Sequence, residues 1–108
     1  MLEIKSLEVS IANEVDAAIK DVYSTRERVR QYSRVVDLNK KLLDVELLRH
    51  KGGKSNSRLV LEREGDLIYA KEALAKSITE NRNAIIALET AEGSLLRKFK
   101  IDLVEDNL

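Results

Sequence analysis

The chain has 108 residues, of which 35% are charged and 4% aromatic, with no proline and no cysteine. Its 19 basic and 19 acidic side chains cancel, so no net field draws it to nucleic acid or to an anionic membrane. Disulfides and thiolate metal sites are excluded, and a hydrophobic share of 44% is too high for a disordered chain. The length allows one domain, and the balance of charge, aliphatics and few aromatics suits long helices better than a sheet. No apolar run approaches the ~20 residues of a membrane span. The opening Met1-Leu2-Glu3-Ile4-Lys5 lacks the apolar core of a signal peptide.

From about Glu3 to Lys51, apolar residues recur at steps of three and four: Ile4, Leu7, Ile11, Val15, Ala18 and Val22, then Val29, Tyr32, Val36, Leu43 and Leu47. That spacing puts them on one helix face. A second line runs beside it through Val35, Leu38, Leu42, Val45 and Leu48. Two adjacent lines make a face wider than a single neighbouring helix covers. At ~1.5 Å per residue the helix would be roughly 70 Å long, a length that points to a coiled coil or an assembly.

Gly52 and Gly53 end this helix. A glycine takes the left-handed conformation that closes a helix C-terminus, and His50 and Lys51 suit its negative end. Of the next residues, Ser55 or Asn56 is the expected cap of a second helix. The turn spans residues 51–57 and the second helix about 57–98. Its stripe is Val60, Leu67, Leu74, Ile78, Ile85, Leu88 and Leu95, with Leu61, Ile68, Ala75, Ile86 and Leu96 beside it. Gly65 inside this helix is either a point of close helix approach or neutral, at a cost of roughly 1 kcal/mol against alanine. Residues 99–108 break the pattern and suggest a short strand or a frayed tail. The expected fold is therefore all-α: one long antiparallel two-helix coiled-coil hairpin.

Chemistry has few candidates. Gly53-Lys54-Ser55 resembles the end of a phosphate-binding loop, but that motif needs a glycine where Leu48 stands and a strand where a helix is expected. His50 is the only histidine, which leaves no basis for a zinc site. Glu62, Glu64, Asp66 and Glu72 alternate with Arg63 and Lys71 as a solvated helix face does. Arg26, Arg28, Arg30 and Arg34 cluster, but Glu27 interrupts them and no aromatic platform accompanies them, so nucleic-acid binding is not expected. No catalytic residue, metal or cofactor is predicted.

One joint spacing remains. Gly53 is followed by Asn56, by Val60-Leu61, by Leu67-Ile68-Tyr69-Ala70-Lys71 and by Ala91-Glu92-Gly93, and it is preceded by Glu14-Val15 and Ala18. From Glu14 to Leu96 this resembles one periplasmic helical hairpin of the TolC family of outer-membrane efflux channels. The acidic residue that the family often carries before the Val-Leu pair is Leu59 here. The resemblance implies a helical hairpin that is part of a larger helical barrel in a trimeric parent serving efflux or type I secretion. It implies a periplasmic location and tip contact with a periplasmic adaptor. The parent would add a second hairpin and membrane strands, so this chain would be an excised piece whose Met1 is an introduced start, and it would form no channel alone. The partner-binding residues expected at the tip are Gly52, Gly53, Lys54 and Ser55, with Glu62 as the channel-opening candidate. Self-association is expected, because two helices cannot cover both lines on each. The alternative is the coiled-coil hairpin of the adaptor itself or another antiparallel coiled-coil interaction module. Adaptor tips commonly pair an arginine with a leucine four residues later, and Arg58 is followed at that distance by Glu62.

Overall fold

The computed structural model describes residues 2–106, with side chains from 5 to 105. Two α-helices of 50 residues each, α1 (Leu2–Lys51) and α2 (Ser57–Asp106), are joined by one turn. The fold is all-α, an antiparallel helical hairpin with no strand among the described residues. The absence of proline leaves nothing to break either helix, and Arg49, His50 and Lys51 sit in the last turn of α1 where cations complement the helix dipole.

The tail does not form a strand or fray at Phe99: α2 continues through Asp106. Lys98 and Asp102 extend the three-and-four spacing of the half-buried positions, so the interior stripe goes on through polar residues where apolar ones were sought. Residues 107 and 108 lie outside the described part.

Contacts divide the hairpin into a terminal unit (Met1–Thr25 with Glu80–Leu108) and a tip unit (Arg26–Thr79). In the terminal unit the shielded positions are Ile11, Val15, Ala18 and Val22 on α1 and Ala84, Leu88 and Ala91 on α2. A polar layer joins the two helices there. The Asn81 Nδ2 amide donates to Thr25 Oγ1 at 3.0 Å and to the Val22 carbonyl at 3.3 Å. The Thr25 hydroxyl donates in turn to the Asp21 carbonyl at 2.7 Å. A buried polar pair of this kind fixes register, because any slip leaves its members without partners.

In the tip unit, Val36, Ala70, Glu46 and Ser77 are buried, flanked by half-buried Val29, Leu43, Val60, Leu67 and Leu74. Ser77 donates to the Leu74 carbonyl at 2.8 Å, so its hydroxyl is satisfied within its own helix.

The interior follows an alternation of three and four residues, and six members of the expected stripes stay exposed. Leu47 is 43% exposed and Glu46 takes its place inside. Ile78 and Ile85 also stay open while Ser77 and Ala84 turn inward, and Leu7, Tyr32 and Leu95 are exposed. Small inward residues let helices approach closely, and the larger aliphatics are displaced to the flanks. Ile4 lies outside the described side chains.

Replacing Asn81 with Ala should lower stability by about 1 kcal/mol, the usual worth of a hydrogen bond. At Gly93 an added Cβ would meet nothing within 4 Å, so Gly93→Ala should raise stability by about 1 kcal/mol. Urea unfolding followed by helical circular dichroism at fixed protein concentration checks both signs.

Candidate functional site: the hairpin tip

The tip is built by two backbone devices. Gly53 has φ +72°, which a side chain with a Cβ resists and glycine accepts. The Gly53 amide donates to the His50 carbonyl at 3.1 Å and the Lys54 amide to the Arg49 carbonyl at 2.9 Å. These two bonds form a Schellman closure, which satisfies the carbonyls left over at the end of α1. On the other side, the Leu59 amide donates to Asn56 Oδ1 at 2.9 Å. Asn56 is thus the N-cap of α2.

Ser55, the other cap candidate, has a different task. Its hydroxyl donates to Glu46 Oε1 at 2.6 Å, and Arg49 Nη1 stands 3.5 Å from Glu46 Oε2. Arg49 Nη2 also reaches the Lys54 carbonyl at 3.4 Å. Glu46 is 5% exposed, so a carboxylate shielded from water ties the loop to the last turns of α1. A buried charged acceptor is tolerated only when its lone pairs are met by donors, and here a hydroxyl and a guanidinium meet them.

The four residues expected to bind a partner, Gly52, Gly53, Lys54 and Ser55, therefore do lie together in one turn, with Ser55 half-buried and the others exposed. Glu62 lies on the exposed side of α2 and pairs with Arg58, whose Nε is 3.6 Å from its Oε1. Beside the turn, Asp44, Leu47, Leu48, His50 and Lys51 line an open groove of about 550 Å³ on the outer face of α1. The turn amides of Gly52, Gly53 and Lys54 all donate to α1 carbonyls, which leaves none of them to cradle a phosphate beside Lys54 and Ser55.

Sequence reasoning missed Glu46 and the Thr25–Asn81 layer. The signal was present: Thr25, Tyr32, Asn39 and Glu46 recur every seven residues along the interior stripe of α1. Attention to apolar residues alone passes over such a row.

Among the described residues, no group of three or more His, Cys, Asp or Glu side chains is placed to hold a metal ion. Among the same residues, no helix is long and apolar enough to cross a membrane. No family model, curated protein or solved structure matches the chain.

Substitution separates the roles of the two glycines. Gly53→Ala should cost about 1–2 kcal/mol, the strain of the left-handed region. At Gly52 the Cβ would sit 3.6 Å from the Leu48 and Arg49 carbonyl oxygens, an ordinary contact, so Gly52→Ala should change stability by less than about 0.5 kcal/mol. Glu46→Ala should cost about 1–3 kcal/mol, because it strands the Ser55 hydroxyl and opens a void. Thermal and urea unfolding of the three variants tests the order.

Proposed function

We propose that this hairpin is a structural and docking segment of a TolC-like outer-membrane efflux or type I secretion channel, a stave of its periplasmic α-helical barrel. The observation that carries the reading is the row of large aliphatic side chains left open to water on both helices. On α1 these include Val35, Leu38 and Val45, and on α2 Leu61, Ile68, Ile86 and Leu96, each 42% exposed or more. Exposed apolar surface of this extent marks an interaction face, and a barrel wall provides a neighbour for every stave. The spacing around Gly53 agrees with that family. In the trimeric parent, a second hairpin and membrane strands complete the channel, and the segment lies in the periplasm without catalytic work of its own.

The tip is the docking end in this reading. Gly52, Gly53 and Lys54 expose backbone and short side chains, so the tip of a periplasmic adaptor can come close. Glu62 is the candidate for the channel opening. The Arg58–Glu62 ion pair stands where an adaptor tip commonly has an arginine and a leucine, which weighs against the hairpin being the adaptor's own.

A chimera tests the assignment. Residues 14–96 would replace the corresponding hairpin of a TolC-family channel, and trimer assembly, export and adaptor crosslinking would be scored. Assembly and export are expected, with Gly53→Val and Lys54→Glu reducing crosslinking while assembly persists. A chimera that fails to assemble although the hairpin is folded overturns the barrel reading. Unchanged crosslinking in both variants removes the tip as the docking site.

A further inference from the structure

In the terminal unit the interior row of α2 reads Ala84, Ala91, Lys98, one residue in every seven, and all three are half-buried. The two alanines let the helices lie close, since the side chains at a contact set the distance between axes. The third position places a four-carbon stem and an ammonium group in the same row. Level with it on α1 is Glu8. Lys98 lies 17 residues beyond Asn81, and Glu8 lies 17 residues before Thr25, the residue that Asn81 bonds. Equal steps from one layer along two antiparallel helices end at equal heights.

A lysine at the margin of an interior ordinarily lays its stem on apolar surface and keeps its charged end in water. Here the charged end is the shielded part. Lys98 Nζ is closed off from solvent and has no hydrogen-bond partner. Among the described residues, it is the only buried side-chain nitrogen or oxygen left so. Glu8 and Asp102 stand beside the lysine, with Leu95 and Phe99, around a cleft of about 330 Å³, and neither carboxylate bonds the ammonium. The other charges near this layer, Lys5, Arg97, Lys100 and Glu105, are exposed. A shielded charge without a partner costs far more than an unmade neutral hydrogen bond. That cost falls on a layer far from the turn, where a short stretch can open while the rest of the structure stays formed.

We propose that the Lys98 layer is a built-in point of parting. In the closed form the ammonium is shielded and unbonded. When the two helices of the terminal unit separate at this layer, it gains water and the reach of Glu8 and Asp102. The apolar contact given up is small, because Leu95 and Phe99 are already 40% and 62% exposed, so the recovered solvation offsets it. The Asn81–Thr25 layer, 17 residues nearer the turn, stops the opening, because parting beyond it breaks the hydrogen bonds that join the helices. The terminal unit therefore exchanges between a closed and a parted form, and one charge sets the balance. The inference concerns how two helices of one chain meet, and it stands independently of the stave reading.

The test compares the full chain with Lys98→Met, which keeps a long flexible side chain and removes the charge. Both are studied at a concentration where sedimentation shows a monomer, and helical circular dichroism confirms folding. Amide hydrogen exchange over residues 6–11 and 95–102 should be at least about tenfold slower in Lys98→Met. Exchange over residues 18–25 and 81–88 should change little. A second measurement reads the separation directly. The chain has no cysteine, so spin labels at Ser10→Cys and Ser94→Cys, both on exposed positions, report the distance between the helices. The unaltered sequence should give a short and a long population, and Lys98→Met only the short one. The proposal is overturned by a single short distance in the unaltered sequence, or by exchange over residues 6–11 and 95–102 that Lys98→Met leaves unchanged. It is equally overturned if Lys98→Met and Glu8→Gln each speed that exchange, because the lysine then closes the layer as an ion pair.

Discussion

Two helices in contact can each hide one stripe from water, and every other apolar residue has to stay open. That limit shapes this hairpin. The inward stripe is made of valines, leucines, alanines and short polar residues, while Leu38, Leu48, Leu61, Ile68 and Phe99 are all more than half exposed. An isolated hairpin therefore gains little from the hydrophobic effect relative to the apolar content of its sequence. In the proposed stave reading, the surplus is the surface that neighbours cover.

The interior spends some of its few buried places on polar groups. Thr25, Glu46 and Ser77 are three of the five residues buried among those described, and Asn81 joins Thr25 from the opposite helix. Each has a hydrogen-bond partner, which offsets the desolvation penalty but adds little net stability. Their benefit is selectivity. A valine ladder slides on a leucine ladder at small cost, whereas the Asn81–Thr25 bond and the Ser55–Glu46 bond each exist in one register only. The hairpin is thus more sharply specified than it is strongly held.

Most of the architecture was legible in the sequence. A single Gly-Gly break between two periodic segments leaves one topology, and the turn residues fall where the left-handed glycine and the Asn56 cap require. The inner faces were less legible, for a physical reason. Hydrophobic periodicity finds the sides that avoid water, but an alanine–serine line admits a close neighbour better than an isoleucine line, so Ile78 and Ile85 yielded their expected places to Ser77 and Ala84. Glu46 escaped notice because a charge near a turn ordinarily faces water, and only its distances to Ser55 and Arg49 reveal why it does not. The continuation of α2 past Phe99 was hidden in the same way, by Lys98 and Asp102 on the stripe.

The Ser55–Glu46 bond also bears on how the chain finds its fold. Its two residues are 9 apart in sequence, whereas Asn81 and Thr25 are 56 apart. Loop closure scales with the logarithm of length, so the second contact made from an open chain costs about 1.6 kcal/mol more in entropy than the first. Once the turn has closed, each further layer encloses only a few additional residues. The carboxylate beside the turn is thereby the first tooth of a zip, and pairing that begins there carries the correct alignment outward along both helices.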